Sequence, residues 1–253
     1  MKPEEVYTAL ESAYFGENAH EQAEIKALAS LLSDVDLFID AGASLGQYTY
    51  HANRILTGGT IIAIEADPVR YKRLRELCTE WSKSSTNTLI PLHYALSDSD
   101  GQITFYVTDS AVSGALNLPP ERLARSPNAK SREVSVSAKT LDQIIAQYAP
   151  DDARGGLIKL DVEGAEHRVI LGSVETLSHR HYPFLVELHS WGDPSLQVGP
   201  KDTISLFEKY MYDHQPFLNH RLFKWVPSRS HFVLGRARRW LKRQVRRITH
   251  IRR

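Results

Sequence analysis

Five short apolar runs in this chain end in residues that can do chemistry: Asp40-Ala-Gly-Ala-Ser-Leu-Gly, Glu65-Ala-Asp, Ala95-Leu-Ser-Asp, Asp161-Val-Glu-Gly and Glu187-Leu-His. Four of the five carry an acid at the end of the run or one residue past it. A buried acid is costly unless it is paired or bound to something. Four converging on one edge therefore suggest a polar ligand with cationic and hydroxyl groups. The first turn discriminates most. Asp40, Gly42 and Gly46 give the pattern D-x-G-x-x-x-G. A dinucleotide-binding turn would need glycine at position 44, where backbone and pyrophosphate touch, and this chain has Ser44. No G-x-x-x-x-G-K-S/T phosphate loop occurs either. A glycine turn of this kind suits a nucleoside without phosphates. Glu65 lies 19 residues after Gly46, where a carboxylate can accept two hydrogen bonds from a ribose diol. The combination fits S-adenosylmethionine, whose ribose and amino-acid tail both need polar anchors. The plainer alternative is that Gly42 and Gly46 only permit tight strand-to-helix packing.

The elements that must position these residues follow from the hydrophobic pattern. Ala23 to Leu32 places Ile25, Leu28, Leu31 and Leu32 at helical spacing. Leu37 to Gly42 is a short apolar run ending in glycine, which predicts a buried strand entering a turn, and Gln47 to Leu56 predicts a helix that Gly58-Gly59 stops. Thr60 to Asp67 predicts a second strand. Pro68 can open the next helix at its first turn, with Leu74, Leu77, Cys78 and Trp81 on one face. Leu89 to Ala95 predicts a third strand, leading into the turn cluster Ser97-Asp-Ser-Asp-Gly. Gln102–Thr108 and Arg132–Ala138 alternate apolar and polar residues, as antiparallel strands with one wet face do. Between them Ser110–Lys130, rich in Ser, Pro, Ala and Asn, reads as a loop or lid over the site. Thr140 caps a helix to Tyr148, with Asp142 adding negative charge in its first turn. Gly156 to Asp161 is a fourth apolar run, Gly164 to Leu177 a further helix, and Pro183 to His189 a fifth run. Apolar strands mostly separated by helices point to an α/β fold, a doubly wound, mostly parallel Rossmann-like sheet with an antiparallel insertion. In such a sheet, ligands sit at the carboxyl ends of the strands.

Composition bounds the rest. A chain of 253 residues with 42% hydrophobic and 24% charged residues is an ordinary globular protein, neither disordered nor fibrous. Its net charge of +1 hides an asymmetry: Arg236 to Arg253 holds nine Lys/Arg and no acid, leaving an acidic body and a strongly basic tail. One cysteine, Cys78, can form neither an internal disulfide nor a zinc cluster. No apolar leader segment follows Met1, and no run of about 18 apolar residues occurs. The reading is a cytoplasmic protein divided into an N-terminal helical segment (1–34), a central domain (35–215) and a basic amphipathic C-terminal extension (216–253) that carries a basic C-terminal helix. In that tail Leu234, Ala237, Leu241, Val245 and Ile248 keep helical spacing, with Trp240 near the apolar edge. Such a helix suits an anionic membrane surface, each basic residue contributing about 1 kcal/mol near it. That would hold the chain at the inner face of a membrane. Packing on the protein's own acidic body, association between copies, and RNA binding are the competing readings.

Several blocks together resemble the FkbM-type methyltransferases: Phe38-Ile-Asp-Ala-Gly-Ala-Ser-Leu-Gly-Gln-Tyr-Thr, Ala95-Leu-Ser-Asp-Ser-Asp-Gly, Thr140-Leu-Asp, Ile158-Lys-Leu-Asp-Val-Glu-Gly-Ala-Glu and Val186-Glu-Leu-His. The resemblance covers about residues 35–192 in the family's order, and the block from Lys159 is its most specific part. It implies an S-adenosylmethionine-dependent O-methyltransferase, commonly acting on sugar hydroxyls of glycans, glycolipids or natural products. The family often has Asn where this chain has Ser44; serine still donates and accepts. By resemblance and position, Asp40, Gly42 and Gly46 surround the methionine moiety, with Ser44 and Thr49 as weaker candidates. Glu65 holds the ribose hydroxyls, and Ala95, Leu96 and Ser97 border the adenine. Ser97 and Asp98 equally suit the start of the turn before Gly101.

Methyl transfer to a hydroxyl is an in-line displacement in which the protein aligns the acceptor and removes its proton. Asp161, Glu163, Glu187 and His189 are the candidates for these tasks. An unperturbed histidine titrates near neutrality and can serve as base; Asp161 could orient it or bind the acceptor. The alternatives are a structural His189 and an Asp161 that caps the following helix. Glu166 and His167, further into the helix, are expected at its surface, and Lys159 is expected to pair with a neighbouring acid. Asp161, Glu163 and His189 could also ligate a hard cation, but the sequence fixes no ligand geometry and no metal is assigned. Two other functions compete with a glycan O-methyltransferase: methylation of RNA ribose, and a non-catalytic S-adenosylmethionine-binding or membrane scaffold. The acidic body argues against nucleic acid as a partner, because a charged tail alone gives only salt-sensitive, nonspecific affinity. The sequence specifies neither the acceptor nor the oligomeric state.

Overall fold

The computed structural model describes residues 19–108 and 131–228. Its strands are β1 (Leu37–Ala41), β2 (Thr60–Ile64), β3 (Thr88–Leu92), β4 (Ala95–Leu96), β5 (Gly101–Thr108), β6 (Ser131–Lys139), β7 (Gly156–Leu160), β8 (Phe184–Val186), β9 (Tyr212–Phe217) and β10 (His220–Trp225). Among the described residues the helices are α1 (Ala19–Leu32), α2 (Gln47–Ile55), α3 (Pro68–Ser82), α4 (Leu141–Tyr148), α5 (Glu166–Leu171) and α6 (Pro200–Lys209), with a π-helical turn at Thr176–Arg180. Seven strands form the central sheet in the order β3-β2-β1-β7-β8-β10-β9. The pairs from β3 through β8 are all parallel, and β10 runs antiparallel to both its neighbours. The expected doubly wound, mostly parallel sheet is therefore present.

Alternation along the strands divides the core. Leu37, Ile39 and Ala41 of β1 join Ile158 and Leu160 of β7 on one face, against Ile144, Val169 and Phe207 of α4, α5 and α6. On the other face Phe38, Ile61 and Leu157 meet Leu28 and Leu32 of α1 and Ala52 of α2, while Ala63 meets Leu74 and Cys78 of α3. Fully burying one such leucine, isoleucine or phenylalanine contributes about 1.5–3 kcal/mol. The same alternation matters for the site. In the parallel register Asp40 lies beside Lys159, so two charges point into the apolar layer covered by α2. A second sheet, β4-β6-β5, supplies the expected antiparallel insertion and packs Ala95, Phe105 and Val107 beside the cleft.

Several expected boundaries move. The third strand stops at Leu92, and Ala95-Leu96 pair with β6 in the second sheet instead. The helix expected over Gly164–Leu177 is broken: α5 ends at Leu171, and a Cβ at Gly172 would run into the Ser97 carbonyl. Asp142 then caps the next segment, accepting from the backbone N–H of Glu175 (2.8 Å) and Thr176 (2.9 Å). The fifth apolar run pairs only over Phe184–Val186. The sheet also continues past the boundary expected after residue 215, because β10 pairs with β8 and carries it to Trp225. Neither the lid Ser110–Lys130 nor the basic tail 236–253 falls within the described residues.

Candidate functional site

A cleft opens at the carboxyl ends of β1, β2 and β7, where the sequence pattern led to one. Its first wall is the turn after β1. Gly42 and Gly46 have φ of +80° and +85°, in the left-handed region that glycine tolerates best. A Cβ at Gly42 would run into the Asp161 carbonyl, and one at Gly46 would press on Leu74 and Trp81. Gly42 thus both lines the cleft and permits the close approach of the β1 and β7 ends. Gly46 sits outside the lining and is explained by packing against α3.

Asp40 is fully buried behind this turn. Its Oδ2 accepts from the Thr49 N–H at 3.0 Å and the Thr49 hydroxyl at 2.7 Å. Gly46 has no side chain to cap α2, so Asp40 satisfies an orphan donor of the first turn from the strand below. The Lys159 ammonium stands 3.6 Å from Asp40 Oδ1 and 3.3 Å from Asp161 Oδ2, and donates to the Gly42 carbonyl at 3.3 Å. Burial alone would drive its proton off, but Asp161, Asp40 and Tyr48 outweigh it and hold the ammonium above its ordinary range. The expected pairing of Lys159 with an acid is present, with two partners instead of one.

The second wall is Glu65 at the end of β2. Its Oε2 accepts from the Ser44 N–H at 2.7 Å and its Oε1 from the Asp67 N–H at 2.8 Å. The carboxylate therefore links the turn after β1 to the start of α3, which Asp67 caps. Each carboxylate oxygen has a second lone pair, and Glu65 lines the cleft. Burial pushes its carboxyl up, against the hydrogen bond from Asp67 and the charge of Arg70. Arg70 also donates to the Ser44 hydroxyl at 2.6 Å, in a loop where Ser44 holds φ of +53°.

Of the expected cofactor residues, Gly42, Ser44, Glu65, Ala95 and Leu96 line the cleft. Asp40 and Thr49 stand behind the first turn, and Gly46 closes that turn outside the lining. Ser97 is buried outside the lining, with its hydroxyl on Asp98. Tyr48, Tyr94 and Phe105 line the cleft as well and were not expected. The alternation Ile103-Phe105-Val107 in β5 would have flagged Phe105 as facing inward.

Beyond the end of β7, Asp161 and Glu163 line the cleft. His189 lies behind them, its Nε2 3.3 Å from Glu163 Oε2 and 3.8 Å from Asp161 Oδ1. Its Nδ1 meets Glu166 Oε1 at 2.7 Å. Glu166 is buried, contrary to the surface position expected for it: its carboxylate also accepts from the Gly164 N–H at 3.0 Å. Burial works against the charged imidazole, but the Glu166 hydrogen bond and the charges of Glu166, Glu163 and Asp161 push His189 up to about 9. Burial likewise opposes the Asp161 anion, yet Lys159, His189 and His220 hold its carboxyl below the usual carboxylate range. One ligand atom from each of Asp161, Glu163 and His189 fits within a 4.8 Å span. The proton on His189 can meet that charge demand as a metal ion would.

An open α/β sheet of this order, with a glycine turn after β1 and a carboxylate at the end of β2, is a doubly wound, Rossmann-like fold with its cleft at the carboxyl ends of the strands. The chain belongs to the FkbM methyltransferase domain family, whose model matches residues 40–214. It is 29% identical over 174 residues to the hexuronic acid methyltransferase AglP of Haloferax volcanii, an alignment covering 69% of this chain and 64% of that protein. The chain thus spans somewhat less than two thirds of that relative's length. Among solved structures, it is similar to an FkbM methyltransferase of Methylobacillus flagellatus KT: 14% identity, 76% of this chain, 44% of that one and a TM-score of 0.48. Fibrillarin of Aeropyrum pernix, solved with bound S-adenosyl-L-methionine, aligns at 13% identity over 76% of this chain and 66% of its own, with a TM-score of 0.40.

Proposed function

We propose that this methyltransferase uses S-adenosylmethionine and methylates a hydroxyl of a sugar in a glycan or glycolipid. One observation carries the cofactor reading: a buried Glu65 carboxylate, anchored by two backbone donors, keeps lone pairs at the cleft. A ribose diol can use them, and the turn opposite has no glycine for a pyrophosphate at Ser44. Ala95, Leu96 and Phe105 offer an apolar wall suited to a base, and Asp161 and Glu163 offer negative charge suited to a cation. The residues present therefore fit the group. When bound, S-adenosylmethionine supplies an activated methyl on a sulfonium. The chain's own tasks are to orient that methyl, exclude water, and align and deprotonate the acceptor. A sugar acceptor is supported by the family and by AglP, whose name gives a hexuronic acid as what it methylates.

Glu65 provides the test. Calorimetric titration with S-adenosylmethionine should show binding to the unmodified chain and at least a tenfold loss in Glu65→Ala. Equal affinity in the two would overturn the cofactor reading. Mass spectrometry of the host's surface glycans, with and without this protein, should then show a methyl-dependent mass change. A product on RNA instead would favour ribose methylation, and cofactor binding with no product on either would favour a scaffold. For the basic segment 236–253 we propose contact with an anionic membrane surface, where glycolipid acceptors are assembled.

A further inference from the structure

Two segments meet beside the cleft and leave three donor atoms facing one another. Asp161 and Glu163 follow β7, and His189 follows β8. His189 Nε2 stands 3.3 Å from Glu163 Oε2 and 3.8 Å from Asp161 Oδ1, and one donor from each residue fits within a 4.8 Å span. The His189 side chain is only 9% exposed, so this nitrogen is aimed at the two oxygens and not at bulk water. Asp161 divides its carboxylate. Oδ2 accepts from the Lys159 ammonium at 3.3 Å, while Oδ1 is buried and has no hydrogen-bond partner. A buried, charged oxygen without a donor carries its desolvation cost uncompensated. In a native fold it calls for an explanation, and a bound ion is one. Glu187, the other acid expected here, lies outside both the cleft lining and this set, its Oε2 3.8 Å from His220 Nε2.

A proton on His189 can balance charge, but it does not serve that oxygen. It points along one line, and 3.8 Å is beyond hydrogen-bond reach. A divalent cation bonds all three donors at once. An octahedral ion held at about 2.1 Å sets adjacent donors about 3.0 Å apart and opposite ones about 4.2 Å. The three donors therefore need to close by roughly half an ångström at most. They are also held from outside, as ligands of a metal are. Glu166 Oε1 takes the other ring nitrogen, Nδ1, at 2.7 Å and is itself fixed by the Gly164 N–H at 3.0 Å. Trp191 packs on the His189 ring, with centroids 4.6 Å apart, and its Nε1 donates to the Glu163 carbonyl at 3.4 Å. The donor set is two carboxylate oxygens and one imidazole, with no sulfur. It suits a hard ion that also accepts nitrogen.

We propose that Asp161, Glu163 and His189 bind one octahedral divalent cation, of the Mn2+ and Mg2+ class, at the wall of the cleft that Asp161 and Glu163 line. The side chains of those two acids are 26% and 15% exposed, which gives the ion its way in from the cleft. Water fills the positions the protein leaves open. The site goes beyond the transferase reading and does not depend on it, because the ion binds with neither S-adenosylmethionine nor acceptor present.

The full chain, stripped with chelator and dialysed, is titrated with manganese chloride while the free ion is followed by its EPR signal. One ion should bind per chain, and excess Mg2+ should displace it. Pulsed EPR of the bound ion should show the 14N coupling of a directly ligated imidazole. His189→Gln should abolish that coupling and weaken binding at least tenfold, and Asp161→Asn should weaken it as much. Glu166→Gln, which alters the hydrogen bond behind the imidazole, should cost about tenfold. Glu133→Gln, at an exposed position on β6, should leave the affinity unchanged. No binding to the unmodified chain at about 1 mM Mn2+, or binding without nitrogen coupling, overturns the proposal. So does a coupling that persists in His189→Gln. The first two outcomes are read on the unmodified chain, so a variant that fails to fold does not shield the site. Calorimetry with S-adenosylmethionine is a separate measurement, and its failure removes the cofactor reading without touching this one.

Discussion

Replacing Lys159 by methionine removes the cation that two carboxylates share while keeping the volume of the side chain. The Lys159 and Asp40 side chains are only 4% and 1% exposed, and that of Asp161 is 26% exposed. Breaking a buried pair by deleting one partner costs about 3–5 kcal/mol, because the remaining charge is left uncompensated. For a domain of this size each kcal/mol moves Tm by about 2–4 °C. Lys159→Met should therefore melt about 6–20 °C lower than the parent at pH 7. The pH dependence adds a second check. The Asp161 carboxyl sits below its ordinary range in the fold, with Lys159 the strongest of the charges that lower it. Its pairing thus stabilises the fold above the unfolded value and loses that effect as pH falls through the folded value. The deficit of the variant should be largest near neutrality and shrink below about pH 4. Circular dichroism melts at pH 7 and at about pH 2–3 measure both. A Tm within about 2 °C of the parent at pH 7 would refute the view that this ammonium holds the β1 and β7 ends together.

Gly42→Ala should cost at least about 1–2 kcal/mol for the left-handed backbone, and more because its methyl meets the Asp161 carbonyl. Calorimetry should show a matching fall in affinity for S-adenosylmethionine, and parental stability with parental affinity would count against that close approach. Glu166→Gln should lower the proton affinity of His189 about tenfold or more. A raised imidazole stabilises fully below its unfolded value near 6.5 and loses the effect as pH rises through about 9. The urea-unfolding deficit of that variant should therefore be present at pH 6 and absent at pH 10, and an equal deficit at both would exclude an ionic role for Glu166. Full-length chain should float with anionic vesicles, and a chain ending at Leu234 should not; equal flotation removes the membrane role of the tail.

What the sequence disclosed depended on how local the cause was. The buried strands β1, β2 and β7 are near-continuous apolar runs because both their faces are covered, and their ends point to the cleft directly. The Thr140 cap is equally local: its hydroxyl accepts from the Gln143 N–H, and the Gln143 side chain accepts from the Thr140 N–H. The hairpin was not legible. β9 carries Pro216, and the tight connection to β10 uses Leu218 at φ of +53° with no glycine to signal it. Nothing local distinguishes Glu166 from an acid that favours a helix N-terminus through its charge alone. Its burial depends on His189 arriving from the next strand, a contact that exists only after folding. Gly172 similarly looks tolerable inside a helix until the Ser97 carbonyl is brought against it.

The position of β10 has a consequence for how the chain is made. Ribosomal synthesis delivers β8 well before β10, yet β10 is the strand that covers the free edge of β8. Until residue 225 has emerged, Phe184-Leu185-Val186 present an apolar, unpaired border that can recruit a strand from another nascent molecule. Strand β10 thus acts as a closing clasp, and chains cut short before it should be prone to aggregate even though the residues lining the cleft are already encoded.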